Sequence, residues 1–258
     1  MIQLEFLMKA SLVRSGLAQS LRLDLSTAAP TPLHNLLNSL IYRWFAGDRE
    51  FTALDILRME YLLKHLNEIE QYDSSMLRLF QQEFRRARTQ DNLEGLRFEC
   101  YTAASLARKK LRFYKSEAPD FVLADRDAAI ECTSVRLTKR QPFKDLSYKI
   151  EAAISNKEKT KSNRPNVLLL IDITNILHAT DLSSVQDLRS VAQERISRTS
   201  FAGVVMFNHV FVKDGREIKT GYFREDSSTI SGHMLSLADF LYPKGNVSIH
   251  DFYVPAAG

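Results

Sequence analysis

The sequence predicts an α/β protein with a helical N-terminal region, and three observations lead there. Up to about residue 90, apolar residues recur at spacings of three and four, as one face of a helix requires. Beyond that point short apolar runs alternate with helical stretches. Between the two regimes, residues 121–135 read as a tight hairpin, with one acid, Asp120, just before its first strand and another, Glu131, on its returning strand.

The elements follow in chain order. Residues 1–25 fit strand or helix. Residues 28–32, Ala-Ala-Pro-Thr-Pro, are a break. Residues 32–45 predict the first clear helix. Thr52 is placed as the cap of the next, which carries Leu54, Ile56, Leu57, Tyr61, Leu62 and Leu66. Residues 74–88 predict a third. Residues 93–106 predict a further helix, with Glu99 as its inward acid, and residues 111–115 a strand. Strand 121–124, turn 125–127 and strand 128–135 make the hairpin. Residues 143–161 predict a helix and 166–174 an apolar strand. Residues 182–198 are amphipathic, and 201–212 form an apolar strand. A turn at 213–216 leads to a returning strand at 217–223. From Ser228 onward the signals are few. The domain reading is a mostly helical region over residues 1–90 and an α/β core with a C-terminal hairpin extension over residues 91–258.

Folding the hairpin brings Asp120 and Glu131 side by side, although ten residues separate them in sequence. Two carboxylates at adjacent sheet positions repel unless neutralised. A divalent cation does this, and hard oxygen ligands suit Mg2+ or Mn2+.

The residues around this pair resemble the PD-(D/E)XK nuclease superfamily. The likeness spans residues 94–175 and rests on Pro119-Asp120, ten intervening residues, then Glu131-Cys132-Thr133. Members share a helix, three strands, a second helix and a fourth strand, which is the order predicted here. The resemblance implies a restriction-endonuclease-like mixed sheet flanked by helices, and metal-dependent hydrolysis of phosphodiester bonds in DNA or RNA. It assigns Asp120, Glu131 and the Cys132 carbonyl to the metal. Glu99 would bind a second ion or orient water.

One position departs from the pattern. The family has a lysine two residues after the glutamate, and this chain has Thr133, which carries no charge. Lys149 and Lys157 are eight residues apart on the predicted helix 143–161, near one face. Either could stand in for the missing cation, and Lys115 is a third candidate. The alternative implied by Thr133 is a nuclease-like module that binds nucleic acid or a partner protein without cutting.

Composition agrees with this without deciding it. Formal net charge is +4. Residues 136–164 hold nine Lys or Arg against three Asp or Glu, and residues 108–115 add five basic residues without an acid. Both stretches flank the acidic hairpin and suit a polyanion such as DNA or RNA. No apolar run approaches the ~20 residues that cross a bilayer. The N-terminus, broken by Glu5 and lacking a basic lead-in, does not read as a signal peptide. Cys100 and Cys132 are the only cysteines, too few for a disulfide framework or a cysteine-only zinc site. They read as buried thiols in a reducing cytoplasm. The six histidines are scattered. His178 follows the strand that carries Asp172, an acid that needs a partner if buried: metal, helix cap or lysine. Oligomeric state stays open, a dimer included.

Overall fold

The computed structural model describes residues 2–135, 146–159, 164–177, 193–211 and 218–244. The chain divides into two compact units, one built on residues up to Arg112 and one on residues from Phe113 onward.

The first unit is helical: α1 (Ile2–Leu21), α2 (Pro32–Phe45), α3 (Arg49–Tyr72), α4 (Ser74–Arg86) and α5 (Gln90–Arg108). The ambiguous start resolves as α1, which buries Phe6, Ala10, Val13, Leu17 and Leu21 at helical spacing. Its other side carries exposed Leu4, Met8 and Leu12. That apolar circumference is what blurred the periodicity. The break ends in a capping box: the Thr31 hydroxyl accepts from the His34 amide, the His34 ring accepts from the Thr31 amide, and Pro32 follows the cap.

Thr52 is not a cap. Helix α3 begins at Arg49, and the Thr52 hydroxyl, inside the first turn, donates to the Asp48 carbonyl. Helix α5 packs with α3 and α4, so the division of the chain falls after Arg112 rather than at residue 90.

The second unit is a mixed six-stranded sheet. Its strands are β1 (Phe113–Lys115), β2 (Phe121–Leu123), β3 (Ala128–Ser134), β4 (Arg164–Asp172), β5 (Phe201–Phe211) and β6 (Ile218–Asp226), and they lie side by side in chain order. Strands β1, β2 and β3 pair antiparallel, and β3, β4 and β5 pair parallel. A parallel step needs a crossover, and α6 (Leu146–Lys159) lies between β3 and β4. A short turn of helix, α7 (Thr174–Leu177), follows β4. Residues 193–197 are helical, and α8 (Gly232–Leu241) follows β6.

Alternation decides what faces α6. Ile150 and Ile154 of α6 pack with Ala129 and Val135 from the β3 segment, Val167, Leu169 and Ile171 of β4, and Val204 and Met206 of β5. Val122 of β2 joins the edge of this cluster. Glu131 and Thr133 share the parity of Ala129 and Val135, and therefore the α6 side of the sheet. Among the described residues no helix is long and apolar enough to cross a membrane.

Candidate active site

The hairpin register builds the site. Phe121 pairs with Ile130 and Val122 with Ala129. One step further sets Asp120 against Glu131, and directly opposed residues share a face. At that spacing, about 5 Å between Cβ atoms, two carboxylates repel by ~3 kcal/mol at an effective dielectric constant near 20. Both are buried.

Each carboxylate has a defined partner. Asp120 Oδ2 accepts from the Cys132 amide at 2.6 Å. Glu131 Oε1 accepts from Lys157 Nζ at 2.6 Å, with the Glu131 side chain only 4% exposed. Burial pulls the Lys157 pKa down, but the Glu131 hydrogen bond and the charges of Asp120 and Glu131 outweigh it. The ammonium is held above the ordinary lysine value of 10.5. A lysine so placed stays charged at neutral pH. It can balance charge and cannot take a proton.

Glu131, Thr133, Lys149 and Lys157 line one cleft of about 520 Å3, together with Asn156 and, at an exposed position, Glu117. The helix therefore brings both proposed lysines to the cleft, about 12 Å apart along its axis. Lys157 is bonded to the acid. Lys149 has no ion-pair partner among the described residues.

Lys115 and Asp172 lie on the other face of the sheet. Lys115 pairs with Phe121 in the strand register, so it projects to the opposite face from Asp120, and its ammonium lies 5.7 Å from the Phe121 ring centroid. One residue of register removes it from the site. Asp172 pairs with Ser134 on that opposite face. Its Oδ1 accepts from the amide of Thr174, the first residue of α7, at 2.9 Å. Glu94 pairs with Arg97 at 2.6 Å. Glu99 is half-buried on α5 and belongs to the helical unit. His178 lies outside the described residues, as does most of the basic stretch 136–164. Cys100 and Cys132 are buried free thiols.

The donor set suits a hard divalent cation. Mg2+ typically takes one or two carboxylates and completes its shell with water and substrate oxygens. The Cys132 N–H faces Asp120, and the N–H and C=O of a strand residue leave toward the same edge, so its carbonyl lies on that side too. Among the described residues, no three His, Cys, Asp or Glu side chains form a group that could hold an ion. A metal here would rely on Asp120, Glu131 and the Cys132 carbonyl, with water or substrate for the rest. Two carboxylates and one ammonium sum to −1, which a divalent ion can still offset.

The chain matches no protein-family model, no curated protein and no solved structure. The reading of the site therefore rests on its own geometry and on the residue pattern.

Proposed function

We propose that the sheet unit is a restriction-endonuclease-like, metal-dependent nuclease that hydrolyses phosphodiester bonds in DNA or RNA, with Lys157 in place of the missing motif lysine. One observation carries the reading: Lys157 Nζ lies 2.6 Å from Glu131, on the strand register that opposes Glu131 to Asp120. Helix α6 supplies from across the sheet the cation that Thr133 lacks.

Each residue has a task. Asp120, oriented by the Cys132 amide, and Glu131 would hold Mg2+ or Mn2+. When bound, the ion supplies Lewis acidity and a water of lowered pKa. Lys157 stays protonated and stabilises negative charge building on the scissile phosphate, as a fixed electrostatic donor. Thr133 lines the same cleft and contributes a hydroxyl.

The test is cleavage of single- and double-stranded DNA and RNA in Mg2+ and in Mn2+. Lys157→Met is expected to lose ~10²-fold or more in rate, the scale for removing one electrostatic donor. Adding Thr133→Lys to that variant should recover part of it. Absence of metal-dependent cleavage by the wild type on every substrate form would replace this reading with the binding module. That alternative draws on Thr133 and on a lysine that already compensates Glu131 without a metal.

A further inference from the structure

We propose that the cleft takes single-stranded nucleic acid. Tyr114 would be the platform on which a splayed base stacks, and Lys149 the contact for a neighbouring phosphate. The inference rests on the nucleic-acid reading above and names the form of substrate.

Tyr114 is the central residue of β1, at the end of the sheet order, and is 53% exposed. Its register partner is Val122, which packs at the edge of the α6-side core. The tyrosine ring therefore leaves the sheet on the face that carries Asp120 and Glu131. Tyr114 is a diagonal neighbour of Asp120, and such pairs are about 7–8 Å apart. No aromatic ring stacks on it among the described residues. A large ring left open beside buried carboxylates offers a π face where a base could lie.

Tyr148 of α6 is a second exposed ring, 60% exposed. It lies one helical turn before Ala152, a lining residue of the cleft, and next to Lys149. Lys157 is held by Glu131, so Lys149 is the cation in the cleft that a second phosphate could engage.

The form of substrate follows from these pieces. Bases in a duplex are stacked on each other and show no face to a side chain; a single strand can splay them. A cleft of about 520 Å3 is the size that holds a small ligand, which fits a nucleotide.

The experiment is fluorescence anisotropy on the full chain without divalent metal. The probes are a labelled oligothymidylate, an abasic strand of equal length and a duplex of equal length. The wild type is expected to bind oligothymidylate ~10-fold or more tighter than the abasic strand, in line with one base stacked on an aromatic ring. Tyr114→Ala should erase that preference and Tyr114→Phe should keep it. Lys149→Met should lower the salt dependence of binding by about one phosphate contact while keeping the preference. Equal affinity for oligothymidylate and abasic strand, tighter binding of duplex, or an unaltered Tyr114→Ala variant would overturn the inference and leave the nuclease reading standing. Failure to bind any of the three would likewise overturn the inference, while the nuclease reading is decided separately by the cleavage assay.

Discussion

Replacing Lys157 with methionine should destabilise the sheet unit as well as silence it. Methionine keeps most of the apolar stem and removes only the ammonium. The carboxylate left behind on Glu131 is 4% exposed and opposed by Asp120. Removing one partner of a buried ion pair costs about 3–5 kcal/mol. The Lys157 side chain is 27% exposed, so the low end, ~3 kcal/mol, applies. For a unit of this size that is roughly 6–12 °C in melting temperature. Scanning calorimetry near pH 7 measures it. Glu131→Gln added to Lys157→Met should restore most of the loss, because no buried charge then lacks a partner. Mg2+ should raise the melting temperature of Lys157→Met more than that of the wild type, since the ion meets an uncompensated pair. The sign with pH is fixed by the raised Lys157 pKa: its contribution is fully present below 10.5 and is lost as pH rises through the folded value. The deficit should therefore be the same across neutral pH. A Lys157→Met variant melting within a degree or so of wild type, or a double variant no better than the single, would refute the coupling.

Three further outcomes follow from other sites. Burial opposes ionisation of Glu158, but Thr199, Arg195 and the Ser200 amide hold its pKa below the ordinary 4.5; its contribution is present above that value and is lost as pH falls through the lowered one, so Glu158→Gln should flatten the acid limb of a denaturant-midpoint profile. Asp73 Oδ1 caps α4 by accepting from the Ser75 amide at 2.8 Å, and Asp73→Ala should cost ~1 kcal/mol by urea denaturation. A Cβ on Gly203 would lie 3.0 Å from the Glu225 carbonyl oxygen, where backbone must yield, so Gly203→Ala should cost ~1–3 kcal/mol in the same assay.

Much of the site's frame was legible because it is local. The turn between Leu123 and Ala128 fixes the register, and the register opposes Asp120 to Glu131 within one short stretch. Choosing among the lysines was not legible. Lys149 and Lys157 share a helix face, and only the packing of α6 through Ile150 and Ile154 decides which reaches Glu131. Lys115 misled by closeness in sequence, where one residue of parity decides the face. Helix α8 has its signals in a stretch otherwise poor in them: Ser231 caps it, Met234, Leu237, Ala238 and Leu241 recur at helical spacing, and Pro243 follows. Arg224 shows what sequence alone does not announce. It is buried on β6, and its guanidinium donates to the Tyr242 carbonyl at 2.9 Å and to Asp239 at 2.6 Å, partners that only the folded chain assembles.

The crossover between β3 and β4 has a consequence for the order in which the unit acquires its structure. The hairpin that opposes the two carboxylates is local in sequence, whereas the ammonium that compensates Glu131 comes from outside it. Their compensation arrives only with α6, whose apolar face seals the sheet while its lysine settles the charge. A chain ending before α6 would hold the hairpin's acids open to water, and its strands would lack both the lid over their apolar side and the cation that makes burial of Glu131 tolerable. During synthesis the site stays electrostatically incomplete until residue 157 has emerged, well after both acids are in place.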